Sequence, residues 1–111
     1  MRLPFPPTVN HYYGYNWKTH QKYISRRGWA FRKRLALAVL DAPRYGDARL
    51  AIMIDAHPPR LIGDIDNLLK PLLDALEHAG IFNNDKQVDD LRICRRHPVP
   101  GGRVEVQIWE L

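Results

Sequence analysis

Cysteine is nearly absent. Cys94 stands alone among 111 residues, so the chain can form neither an internal disulfide nor a thiolate metal cage, which excludes a disulfide-stapled secreted domain and a zinc finger. Long apolar runs are missing as well. The longest, Leu35 to Leu40, ends at Asp41, far short of what a bilayer-spanning helix needs, so no membrane role is expected. The opening Met1-Arg2-Leu3-Pro4-Phe5-Pro6-Pro7 has no basic-then-apolar segment with a small-residue cleavage site, and the expected compartment is the cytoplasm. No internal repeat, low-complexity tract or Gly/Ser linker divides the chain, so residues 1–111 are expected to fold as one small domain. The five histidines, His11, His20, His57, His78 and His97, lack metal-ligand spacing and read as surface or packing groups.

Acid is scarce in one part of the chain only. Residues 1–44 carry nine Lys and Arg against the single acid Asp41, whereas the remainder carries eight basic and eleven acidic side chains. The first part suits a polyanion; the second suits cation binding or acid–base work.

Apolar patterning predicts the elements. Residues 1–5 read as a short strand stopped by Pro6-Pro7, and 8–23 as a loop, because no helical or strand period runs through them. Ser25 can cap a helix over about 26–41 in which Leu35, Ala36, Leu37, Val39 and Leu40 supply the core stripe. The run Leu50-Ala51-Ile52-Met53-Ile54 predicts a central strand over about 48–56. Leu68, Leu72, Leu76 and Ala79, with Leu69 and Leu73 alongside, mark a second helix that Gly80 ends. Pro71 cannot donate an interior helical hydrogen bond, so regular helix is predicted to start at about residue 69. Strands over 88–96 and 103–110 complete the order, and the Pro100-Gly101-Gly102 turn predicts that they pair as a hairpin. The sum is an α/β (α+β) domain of order β-α-β-α-β-β, with a mixed sheet packed against two main helices. Cys94 reads as a small buried hydrophobe within it.

The most informative stretch is Gly63-Asp64-Ile65-Asp66-Asn67-Leu68-Leu69-Lys70, followed by Asn83-Asn84-Asp85. In extended chain, Asp64 and Asp66 point to the same side just before the helix, and Lys70 lies one turn beyond Asp66. Asp85 falls past the far end of a helix about 15 Å long, and reaches the pair only if its loop folds back. Carboxylate oxygens suit hard Mg²⁺, which takes one or two carboxylates and leaves room for water and a substrate phosphate, with Mn²⁺ as a substitute. Such an ion would activate a water for phosphodiester hydrolysis, while Lys70 would neutralise the charge that develops on the phosphate. The competing reading makes Asp64 and Asp66 helix caps. Asp74 reads as an i,i+4 partner of Lys70 or a helix-surface acid, and Asp89 and Asp90 as a solvated strand start.

Asp64-Ile65-Asp66-Asn67-Leu68-Leu69-Lys70, then Asp74-Ala75-Leu76, Ala79-Gly80 and Asp85-Lys86-Gln87-Val88, resembles in order and spacing the RusA family of Holliday-junction resolvases, common on phages and prophages. The opening Leu3-Pro4-Phe5-Pro6-Pro7-Thr8-Val9-Asn10-His11-Tyr12-Tyr13 and the later Tyr23-Ile24-Ser25 are similar to it too. The resemblance implies a homodimeric, Mg²⁺-dependent endonuclease that nicks four-way DNA junctions symmetrically in a bacterial cytoplasm. It places metal-binding acids at Asp64, Asp66 and Asp85 and a catalytic lysine at Lys70. Asn84 departs from the pattern, since family members often carry a second acid there.

For such a partner, Lys18, Lys22, Arg26, Arg27, Arg32, Lys33 and Arg34 are candidate phosphate contacts, and Arg60 is a further candidate or an exposed strand-end arginine. Tyr12, Tyr13, Tyr15, Trp17 and Tyr23 either stack on opened bases or pin their loop to the domain. Two other functions compete: a nucleic-acid-binding module without catalysis, and a metal-dependent nuclease of RNA or linear DNA.

Overall fold

The computed structural model describes residues 1–61 and 63–111. It contains strands β1 (Arg2–Leu3), β2 (Tyr13–Asn16), β3 (Gln21–Ile24), β4 (Leu50–His57), β5 (Val88–Arg95) and β6 (Arg103–Glu110), and helices α1 (Val9–Tyr12), α2 (Arg26–Ala38) and α3 (Leu69–His78). Four strands form one mixed sheet in the order β1-β6-β4-β5, and β2 with β3 forms a separate ribbon. The predicted α+β order is present with α1, β2 and β3 inserted. Among the described residues, no helix is long and apolar enough to cross a membrane.

The apolar run of β4 explains its central place. Leu50, Ile52, Ile54 and Ala56 are buried, and the antiparallel register sets Ile52 opposite Ile108, Ile54 opposite Val106 and Ala56 opposite Val104. On the other side β4 pairs with β5 in parallel, which requires the long crossover that α3 provides. Phe31, Leu35 and Val39 from the α2 segment and Leu72, Leu73 and Leu76 from α3 close the core over this face. Each fully buried leucine contributes about 2 kcal/mol of transfer free energy.

Four expectations need correction. Residues 88–96 and 103–110 contain strands, but they do not pair as a hairpin, because β4 lies between them. The Pro100-Gly101-Gly102 turn is real, with the Gly102 N–H donating to the Val99 carbonyl at 2.9 Å. Its loop, however, crosses the end of β4, where the Arg96 N–H donates to Ala56 and the Val99 N–H to Pro58. Residues 8–23 are not a plain loop, since they hold α1, β2 and the start of β3. In the predicted stripe of the 26–41 helix only Leu35 and Val39 are fully buried; Gly28 and Phe31 complete it, while Leu37 and Leu40 face solvent. Cys94 is half-buried on the outer strand β5 rather than sealed in the core. Ser25 caps α2 as predicted, accepting from the Gly28 N–H at 3.0 Å, and its hydroxyl donates to the carbonyls of His11 and Tyr12. That one residue ties α1 to α2.

Candidate active site

Between β4 and α3 the chain makes a left-handed step at Gly63 (φ +85°), after which Asp64 is extended and Ile65–Leu68 form one 3₁₀ turn. Leu68 is buried and anchors the turn, while Asp64, Asp66 and Asn67 are left exposed. Helix α3 starts at Leu69, as Pro71 requires, with the proline in the first turn where its missing N–H costs nothing. The extended placement expected for both acids holds for Asp64 alone, because Asp66 lies inside the 3₁₀ turn. Asp64 occupies the N-cap position, yet its side chain caps nothing. Among the described residues, neither the Asp64 nor the Asp66 carboxylate has an ion-pair or hydrogen-bond partner.

Asp85 returns to this corner along α3 within the same chain. Gly80 takes φ +81° and donates to the Glu77 carbonyl at 2.9 Å, and the Ile81 N–H donates to the Leu76 carbonyl at 3.0 Å, a pair of bonds that ends the helix and reverses the chain. Ile81 and Phe82 are then buried beside α3. The Asp85 N–H donates to the Glu77 side chain at 2.9 Å, and the Lys70 ammonium donates to the Asp85 carboxylate at 3.2 Å.

Gln87 clamps that loop. Its carbonyl oxygen accepts from the N–H groups of Asn83 and Asn84, and its amide donates to the carbonyls of Gly46 and Ala48. Asn84 caps the short 3₁₀ turn Asp85–Gln87 by accepting from the Lys86 N–H, so the departure at this position retains a capping task. Gln87→Leu is expected to leave buried backbone groups unpaired and lower stability by about 2–4 kcal/mol, read from urea unfolding. Gln87→Glu should be no milder, because its second oxygen would face the Gly46 and Ala48 carbonyls as an acceptor against acceptors in a buried position.

Lys70 is held as a cation. Burial pulls its pKa down, but the hydrogen bond to Asp85 and the charges of Asp85, Tyr13 and Asp74 outweigh that and raise it above the ordinary lysine value. It can stabilise negative charge but cannot act as a base near neutral pH. Asp74, expected to pair with Lys70 or to fix the helix surface, instead reaches across to α2. It accepts from Arg32 Nη2 at 2.6 Å and from the Tyr12 hydroxyl, while Arg32 Nε donates to the same hydroxyl at 2.8 Å. Arg32 is thus engaged inside the fold, with a side chain only 12% exposed, and a phosphate would have to compete with Asp74 for it. Burial pushes the Asp74 carboxyl up, but the hydrogen bonds from Tyr12 and Arg32 and the charge of Arg32 prevail and hold it below the usual carboxylate range.

A carboxyl lowered in this way contributes stability that is complete above the unfolded-chain value of about 3.9 and lost as pH falls through the folded value. Thermal unfolding at pH 7 should therefore show Arg32→Ala destabilised by about 2–3 kcal/mol, with Asp74→Asn losing the part of the acid sensitivity below pH 4 that the parent shows.

The other basic candidates are placed differently. Lys18, Lys22, Arg26, Arg27, Lys33, Arg34 and Arg60 are all exposed, and among the described residues none of them has an ion pair. Sequence reasoning missed Arg95, whose guanidinium donates to the Gly63 carbonyl at 2.6 Å and shares a small cleft with Phe5, Pro58 and Asp64. It also missed Glu77 and Gln87, although the buried polar Gln in Asp85-Lys86-Gln87-Val88 was a usable signal. Tyr13 was read as one of a group of aromatics, yet its phenol sits where the charges of Asp74, Lys70, Arg32 and Asp85 all act on it, and burial first of all raises its pKa. Of the histidines, His57 is buried, packed edge-on against His97 and bonded to its carbonyl, a packing role.

Hard carboxylate oxygens at Asp64, Asp66 and Asp85 are the donor type a divalent cation such as Mg²⁺ prefers. Their present placement is not a closed cage. Among the described residues, no three His, Cys, Asp or Glu side chains are grouped so as to hold a metal ion. Asp85 gives its Oδ2 to Lys70, so a cation held by all three acids would compete with that lysine for the Asp85 charge.

The family profile described as Endodeoxyribonuclease RusA matches residues 4–109. A crossover junction endodeoxyribonuclease of Enterobacteria phage HK97 is 40% identical over 98% of this chain and 92% of its own length. Those of Escherichia coli K12 and Shigella sonnei Ss046 are each 39% identical over the same shares. With the match running through the 3₁₀ turn, the Lys70–Asp85 pair and the Gln87 clamp alike, the chain belongs to the RusA family of endodeoxyribonucleases.

Proposed function

We propose that this protein is a structure-selective crossover junction endodeoxyribonuclease, cutting four-way DNA junctions by paired symmetrical nicks as a homodimer and with Mg²⁺. The observation that carries this reading is the pair of exposed carboxylates at Asp64 and Asp66, unpartnered among the described residues, just ahead of the helix turn from which Lys70 reaches Asp85, in a chain whose relatives bear that enzyme name. A cap would have used those oxygens. Their freedom counts against the binding-module alternative.

Asp64, Asp66 and Asp85 would hold the Mg²⁺, with Mn²⁺ as a substitute; when bound, the ion would polarise the scissile phosphate and lower the pKa of an attacking water. Lys70, kept protonated, would turn from Asp85 to the phosphate oxygens and neutralise their growing charge. Lys18, Lys22, Arg26, Arg27, Lys33, Arg34 and Arg60 would grip the arms through phosphates, which positions a junction without reading its sequence. Two-fold symmetry of the junction calls for two sites, and one copy of this domain supplies one, so an isologous pair would place one nick on each of two opposed strands.

The test is incubation with an end-labelled four-way junction, with and without Mg²⁺, beside linear duplex and RNA of matching sequence. Paired symmetrical nicks on the junction alone, only with the ion, are expected. Equal cutting of linear duplex or RNA would make the protein a less selective nuclease. Tight binding without cutting would make it a binding module.

A further inference from the structure

We infer that the β2–β3 hairpin is a stacking platform for nucleobases exposed where the arms of a junction meet. This deepens the proposed function and rests on it. The hairpin pairs Tyr13 with Ile24, Gly14 with Tyr23, Tyr15 with Lys22 and Asn16 with Gln21, leaving Trp17–His20 as its tip.

The tip has a defined shape. Asn16 Oδ1 accepts from the N–H groups of Lys18 at 2.9 Å and Thr19 at 3.3 Å, and His20 takes the left-handed conformation at φ +56°, which a residue with a side chain adopts only when its surroundings demand it. The Tyr23 ring is laid across Gly14, where a Cβ would meet the outer atoms of the ring and push it aside.

Three large aromatic faces are consequently presented to solvent. Trp17 is 79% exposed, Tyr23 54% and Tyr15 42%, and Tyr15 meets Trp17 edge-on at 4.6 Å. The segment is pinned to the domain at its root, by the fully buried Tyr12 and by the half-buried Tyr13 and Ile24 packed against the core. Two shallow hollows flank the tip, one lined by Val9, Asn10, Tyr13, Tyr15, Trp17 and Lys22, the other by Tyr15, Trp17, Lys18 and Tyr23.

The chemistry of the surface selects its occupant. Residues 13–23 contain five aromatic or imidazole rings, two lysines, no acid and no aliphatic side chain. Flat rings beside ammonium groups match a base and its phosphate, whereas an apolar protein or lipid contact would draw on more aliphatic surface than Val9 at the edge of one hollow supplies. Base pairs within an arm are stacked on both faces, whereas a pair at the crossover has a face that the next pair of its own arm does not cover, and that face is the one an aromatic ring would take. The root of the hairpin is tied to the helix that carries Lys70, since the hydroxyl of Tyr12, the residue before β2, donates to Asp74 one turn beyond Lys70 on α3.

The experiment uses the full chain and four-way junctions carrying 5-iodouracil either at the crossover or in mid-arm, bound in Ca²⁺ and irradiated, with cutting by the parent protein in Mg²⁺ measured in parallel. Crosslinks are expected at the crossover only, mapped to the peptide containing Trp17. Trp17→Leu should lose them and bind the junction about tenfold more weakly while holding linear duplex within twofold of the parent, and Trp17→Phe should restore both. Equal crosslinking in mid-arm, equal losses on junction and linear duplex, or dissociation of a dimer by Trp17→Leu in sedimentation would overturn the inference. If the parent cuts the junction in Mg²⁺ and no crossover crosslink forms, the platform alone is wrong; if the parent neither binds nor cuts the junction, both readings fall.

Discussion

Junction cutting by Asp66→Asn is expected to fall by about 10²- to 10³-fold, with junction affinity and thermal stability close to the parent. The amide keeps the shape of the side chain and removes only the charge. Nothing in the fold depends on that charge, because the Asp66 carboxylate is exposed and, among the described residues, unpartnered. A structural acid would give the opposite signature: lower stability with cutting intact. Initial rates under saturating Mg²⁺ and binding in Ca²⁺ separate the two, and cutting within threefold of the parent would return Asp66 to the surface acids.

Lys70→Ala should show a paired effect that few other residues could mimic. Cutting is expected to fall by about 10²- to 10³-fold, since the fixed cation beside the phosphate is gone. Divalent-ion affinity should be unchanged or tighter, since Lys70 and a cation compete for the same Asp85 carboxylate. Cutting therefore falls without any loss of ion binding. Stability should change by less than about 1 kcal/mol, because the ion pair is solvent-exposed. In the free protein Asp85 holds Lys70 above the ordinary lysine value, so the lysine enters the reaction already charged at neutral pH. Manganese titration followed by electron paramagnetic resonance, beside cleavage rates, would check both halves, and weaker ion binding in Lys70→Ala would contradict the competition.

Local signals were legible where local physics decides. The run through Leu50–Ile54 is long and apolar because β4 is paired on both edges, and Pro71 and Gly80 set the ends of α3 through rules that hold in any helix. The acids at 64 and 66, the lysine at 70 and the acid at 85 were readable as a motif, and the return of Asp85 was foreseeable as a condition although not as a path.

What stayed hidden depends on distant partners. Asp74 was weighed against Lys70, its neighbour on the helix, but its actual partner, Arg32, lies 42 positions away on α2. Strands β5 and β6 are adjacent in sequence with a good turn between them, yet β4 takes the place between them in the sheet. The β2–β3 ribbon shows no apolar alternation because most of its residues are exposed. Leu37 matches the composition of a core stripe but not the angular positions set by Gly28, Phe31 and Leu35, and Leu40 lies past Ala38, where α2 ends short of the predicted residue 41.

The claim on which the account depends is that Asp64, Asp66 and Asp85 together hold the divalent ion at the cutting centre. Anomalous diffraction from crystals of the protein with a four-way junction and Mn²⁺ tests it most directly. The account predicts a manganese peak bonded to oxygens of all three side chains, with Lys70 released from Asp85 and directed at a phosphate. A well-ordered junction complex with these acids apart, Lys70 still on Asp85 and no ion between them would contradict it.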